Sequence, residues 1–147
     1  MEKNILEQYR ELIQEVEETQ RRINQTEAKI QQLCSETVAD SVTLGKHGKK
    51  PLGRKVIRGN PSPVIARKRA ALRKYKKLLE ELDAKATEML VEVQRYINEI
   101  DDSRIRRILQ FRYVDRMTWL QVAMRMGKHH TAESCRNAVE RYLGKRK

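Results

Sequence analysis

Between residues 5 and 33 the buried-type positions of this chain recur at alternating steps of four and three. They are Ile5, Tyr9, Leu12, Val16, Thr19, Ile23, Thr26, Ile30 and Leu33. Seven of the nine are apolar, and charged residues and glutamines fill the gaps. That is the heptad pattern of a coiled-coil helix, and it predicts one helix over residues 1–37, roughly 50 Å long at ~1.5 Å per residue. Thr19 and Thr26 weaken the middle of the seam. A second seam runs through Leu72, Tyr75, Leu79, Leu82, Ala86, Met89, Val93, Tyr96 and Ile100, and all nine of its positions are apolar. It predicts a helix over 63–100, with Pro63 at a first turn that tolerates it. The seams match in length. They can pair as a hairpin in one chain or associate between chains, and the spacing does not choose.

Composition agrees with long helices each burying a narrow stripe. Of 147 residues, 35% are charged and only 5% aromatic, too few to fill a thick core. The net charge of +12 is unevenly spread. Residues 38–69 hold 9 basic side chains against 1 acidic, and residues 101–147 hold 12 against 5, while residues 1–37 are net acidic. A polyanionic partner at those two places is the expectation. Cys34 and Cys135 lie far apart without metal-type spacing, and His47, His129 and His130 complete no ligand pattern, so no metal or cofactor is expected. MEKNILEQYR is charged from its second residue and no long apolar run follows, which points to the cytoplasm.

Residues 38–62 break the helical pattern with Gly45, Gly48, Gly53, Gly59, Pro51 and Pro61. Lys46, Lys49, Lys50, Arg54, Lys55 and Arg58 make this linker basic. It reads equally as an arm touching DNA phosphates and as a solvated connection.

Residues 101–147 carry the most specific signals. Asp101-Asp102-Ser103 offers caps, and Ile105, Ile108, Leu109 and Tyr113 follow at helical spacing. Asp115-Arg116-Met117 makes a turn, and Thr118 with Gln121 forms a capping box ahead of a short helix. Leu120, Val122, Ala123 and Met126 are its expected buried face. Gly127 suits the left-handed position just past a helix end, and Thr131 can cap a last helix through about Leu143. On a wheel of that helix, Ala132, Cys135, Val139, Tyr142 and Leu143 face inward. Glu133, Ser134, Asn137 and Arg141 face outward, where Asn and Arg can read adenine and guanine edges. Lys128, His129, His130, Thr131 and Arg136 flank them and suit phosphates. The expected fold is all-α: two heptad-patterned helices, then a three-helix helix-turn-helix domain.

Arg107-Ile108-Leu109, Arg112-Tyr113-Val114-Asp115, Thr118-Trp119-Leu120-Gln121-Val122-Ala123 and Met126-Gly127 resemble the start of sigma factor region four. Thr131 to Leu143 is similar to the recognition helices of sigma-like late-gene regulators of phages, of the ArpU and RinA kind. The close likeness covers about 45 residues; upstream only the layout is similar. It implies a phage or prophage activator that binds double-stranded promoter DNA beside the host RNA polymerase, with Ser134, Asn137 and Arg141 in the major groove. The turn from Gly127 to Thr131 is longer than in that family, and nothing resembles the sigma region that melts DNA. A coiled-coil dimer reading two half-sites is the favoured assembly. Two other classes remain: a DNA-packaging protein like a small terminase, or an architectural one, and a coiled-coil interaction protein that inhibits a host factor. An enzyme is not expected. There is no nucleophile–base set, and Gly45-Lys46-His47-Gly48-Lys49-Lys50 lacks the spacing of a phosphate loop.

Overall fold

The computed structural model describes residues 2–43 and 63–145, and every regular element among them is helical. In chain order these are α1 (Glu2–Thr43), α2 (Pro63–Asn98), α3 (Ser103–Leu109), a π-helical turn (Gln110–Val114), α4 (Trp119–Met126) and α5 (Ala132–Lys145). The six basic linker residues Lys46, Lys49, Lys50, Arg54, Lys55 and Arg58 lie outside the described residues. Helix α1 continues past residue 37 because its first glycine comes only at Gly45. No helix among the described residues is long and apolar enough to cross a membrane.

The chain divides into two compact units, Met1–Glu15 with Leu82–Lys147, and Val16–Glu81. In the second unit the helices meet within the chain. Lys76 Nζ lies 3.0 Å from Glu27 Oε1, and Ile30 and Glu27 share a groove with Leu72 and Arg69. These pairs run antiparallel. Thr19, Ile23 and Ile65 are buried there. Thr26 satisfies its hydroxyl by donating to the Arg22 carbonyl one turn back, at 2.8 Å, so a polar side chain on the seam leaves no unpaired donor.

The first unit holds the larger core. Leu6 and Tyr9 from α1 pack with Val93, Tyr96, Ile97 and Ile100 from the end of α2. The same cluster contains Ile105, Ile108 and Leu109 of α3, Val122 and Ala123 of α4, and Cys135, Val139 and Leu143 of α5. Here too α1 and α2 pair antiparallel, with Gln8 to Glu15 opposite Lys85 to Glu92. Leu6 stands one residue off the heptad seam yet is fully buried. At this end α1 meets a core built from several helices, so a wider face than a two-helix seam is covered.

Two tyrosines give this core a pH signature. Burial pushes the Tyr9 hydroxyl above the ordinary value of 10.0, with the nearby charge of Arg116 acting the other way. Burial also raises Tyr113; Arg112 and Arg10 oppose the shift and Glu7 adds to it. Folding therefore favours the neutral phenols. Their contribution is complete below pH 10 and is lost as pH rises through the raised folded values. In an ultraviolet titration, at least two of the five tyrosines should ionise above pH 10.0, together with loss of helical signal. Ionisation of all five below that value, with the helices intact, would contradict the packing of Tyr9 and Tyr113.

Candidate nucleic-acid interface

The three C-terminal helices are fixed at their ends by side chains that the sequence supplies locally. Asp102 caps α3, accepting from the Arg104 and Ile105 amides at 2.8 and 3.3 Å. Arg106 reaches back to the Ile100 carbonyl at 3.2 Å, which ties the junction with α2. Past Leu109 the helix widens into a π turn, closed by the Asp115 amide donating to the Gln110 carbonyl at 3.0 Å. Arg112 is then placed to donate to the Met117 carbonyl at 2.8 Å, with its guanidinium 4.9 Å from the centre of the Trp119 ring. One side chain thus clamps the turn to the first residue of α4 through a hydrogen bond and a cation–π contact. Arg116 between them adopts a left-handed φ of 57°.

Helix α4 has the expected capping box. The Gln121 amide donates to the Thr118 hydroxyl at 3.3 Å, and the Thr118 amide to the Gln121 side chain at 2.9 Å. Its buried face differs from the sequence expectation at one residue. Val122 and Ala123 are buried and Met126 half-buried, but Leu120 is 65% exposed. On a helical wheel Leu120 lies roughly 110° from the middle of that face, too far round for a helix of two turns to bury it against α3 and α5. Met124, one turn on, is 75% exposed. Gly127 ends the helix with φ 116° and ψ −179°. The φ is positive as expected, but the residue is extended and not in the left-handed helical region, a conformation open essentially to glycine alone.

The turn from Gly127 to Thr131 leads into α5, whose first residues are also capped. The Ser134 amide donates to the Thr131 hydroxyl at 3.1 Å, and the Thr131 amide donates to the Ser134 hydroxyl at 2.9 Å. That hydroxyl in turn donates to the Thr131 carbonyl at 3.0 Å. Cys135, Val139 and Leu143 are buried and Ala132 and Tyr142 half-buried, so the inward face is the one the wheel predicts.

Glu133, Asn137 and Arg141 fall at successive intervals of four on the side away from that core. Glu133 and Arg141 are exposed and Asn137 is half-buried. Ser134 is adjacent, but its hydroxyl is taken up by the cap. Among the phosphate candidates, Lys128 and His129 are exposed in the turn, as is Thr131. His130 is half-buried, with Nδ1 3.5 Å from Arg104 Nη2, and so points toward α3. Arg136 is exposed and bonded to Glu140 at 3.0 Å. A surface pair of this kind is worth less than about 1 kcal/mol and exchanges readily for another anion. Glu133, Asn137 and Arg141 thus form a row on α5, Lys128, His129 and Arg136 are exposed, and Ser134 and His130 are turned to local contacts. The wheel could not see the approach of Arg104 to His130, which depends on how α3 meets the turn. No group of three or more metal-type side chains occurs among the described residues.

An all-helical chain that ends in a capped helix–turn–helix pair, braced by a third helix, is the class that this fold defines. The chain belongs to the DUF1492 family, described as a protein of unknown function, whose profile matches residues 68–143, just over half of the sequence. No curated protein and no solved structure matches the chain.

Proposed function

We propose that this protein is a sequence-specific DNA-binding regulator of transcription. We extend the reading to a phage or prophage late-gene activator that works with the host RNA polymerase in the bacterial cytoplasm. The observation that carries it is the row Glu133–Asn137–Arg141. It is the outward face of a helix whose inner face is locked into a core, and whose start is capped and flanked by Lys128, His129 and Arg136. Asn and Arg at this spacing can make bidentate contacts with adenine and guanine in a major groove. The cations beside them suit phosphates, which set position and orientation. The sigma-like motifs in Arg107 to Gly127 support a role at promoters.

The reading includes a dimer, because helix-turn-helix regulators commonly contact two half-sites about one helical turn apart. Both heptad seams are occupied inside the chain within each unit, so a dimer would add contacts beyond them. Light scattering against the 17.4 kDa chain mass measures this directly. Selection of bound duplexes from a random pool tests the central claim, at about 150 mM salt so that phosphate contacts do not mask base preference. A defined motif, present upstream of late genes, is the expected result. Capture of DNA without any motif would replace sequence reading by an architectural or packaging role. No capture would leave the helical pair acting on another protein.

A further inference from the structure

We propose that the first four turns of α2 form a second DNA-contacting surface, one that grips phosphates without reading sequence. The proposal rests on the reading above only in taking duplex DNA as the partner. Arg67, Lys68, Arg69, Arg73, Lys74, Lys76 and Lys77 fall within eleven residues that include no acidic side chain. Lys68 is half-buried and the other six are exposed. Among the described residues this stretch has one ion pair, between Lys76 and Glu27. The regional balance hides the part of this charge from Arg73 to Lys77, because residues 80–99 supply enough acid to bring the whole of 70–100 to zero.

The wheel orders these cations. Arg67 and Lys74 line one side of the exposed arc, Arg69 and Arg73 line the other, and Lys77 lies between them. Ala66 and Ala70 fall on either side of Lys77, so the middle of the arc carries small side chains beside a single cation. At ~1.5 Å rise per residue the rows extend over roughly 15 Å, several phosphate spacings along one DNA strand. The apolar stripe of the same turns is already covered: Ile65 is buried, and Leu72, Tyr75 and Leu79 are half-buried. A cationic face over a covered apolar stripe suits a polyanion in water better than insertion into a bilayer.

Simple solubility does not account for the arrangement. Arg69, Arg73 and Lys77 follow one another at intervals of four, and like charges so placed destabilise a helix. A solubilising surface avoids that penalty by mixing signs, as α1 does with 5 basic and 8 acidic residues over 1–37. Phosphates relieve it. The family match begins at Lys68, so it takes in nearly all of the cationic face together with α5.

Two full-length variants separate this surface from α5. The first combines Arg67→Gln, Arg73→Gln, Lys74→Gln and Lys77→Gln; the second combines Asn137→Ala and Arg141→Ala. Binding of a short mixed-sequence duplex is followed by fluorescence anisotropy over a range of salt, with circular dichroism as the control for folding. The α2 variant should keep its helical signal, bind at least tenfold more weakly, and lose about 3.6 units of slope in log affinity against log salt, at ~0.9 for each of the four cations removed. The α5 variant should retain most of its mixed-sequence affinity. An unchanged slope in a folded α2 variant overturns the proposal and leaves α5 as the reading helix. Loss of the selected motif in the α5 variant alone, with the α2 slope effect intact, supports both. Wild-type binding to anionic lipid vesicles but not to the duplex overturns the proposal.

Discussion

Leu109→Ala is expected to lower the free energy of unfolding by about 2–5 kcal/mol, seen as a large drop in the urea midpoint. Leu120→Ala is expected to move it by less than about 0.5 kcal/mol. Both are leucines at helical positions that the sequence pattern assigns to a core. Leu109 is fully buried in a cluster fed by all five α-helices, and its truncation leaves a void that helices pinned by caps and by the Arg112 clamp cannot readily close. Leu120 is 65% exposed and loses almost nothing. With typical domain stabilities of about 5–15 kcal/mol, the first change removes a large share of the total. Equal, small shifts for the two variants would mean that the five-helix core is not packed as described. A Leu120 shift as large as that of Leu109 would mean that the outer face of α4 is covered in solution.

That contrast marks where sequence reasoning succeeds on this chain. The seams were legible because heptad spacing is a property of one helix at a time, and every residue of the α2 seam is buried or half-buried. The caps at Asp102, Thr118 and Thr131 were legible because the donor and acceptor lie within three residues of each other. So was the inward face of α5, where a helix of fourteen residues shows enough periodicity to fix its orientation. The rest depends on how helices meet. Leu120 fits a buried pattern by type, and only the placement of α3 and α5 leaves it outside. The π turn at Gln110–Val114 arises where α3 must hand the chain to the Trp119 helix, and no spacing rule marks it. Ser134 lies within the outward arc, yet its proximity to Thr131 commits its hydroxyl to the cap. Arg73, Lys74, Lys76 and Lys77 share a region with the acids of residues 80–99, which offset them in any regional count, and the cationic face became visible only with the burial of Ile65 and its neighbours.

Asn137→Ala together with Arg141→Ala is expected to weaken binding to the selected site by about 2–6 kcal/mol, from ~1–3 kcal/mol for each bidentate base contact. The two residues are neighbours on one face, so a double-mutant cycle measures how far the combined loss departs from the sum of the single losses. Base preference should relax at the contacted positions, while affinity for mixed-sequence duplex should hardly change. Ser134→Ala provides the contrast. Its hydroxyl serves Thr131, so this change should cost helix stability, by about 0.5–2 kcal/mol for a cap, without altering which bases are preferred. Glu133 bears on the outcome as well. A carboxylate beside a phosphate backbone is repelled, whereas one that accepts from a cytosine amino group is retained in a reading face. Glu133→Gln should therefore tighten mixed-sequence binding and narrow the margin over it enjoyed by the selected site. Unchanged preference after removal of both Asn137 and Arg141 would assign sequence reading to some other part of the chain. Changed preference with Ser134→Ala would mean that the cap opens when DNA binds, freeing its hydroxyl for the groove.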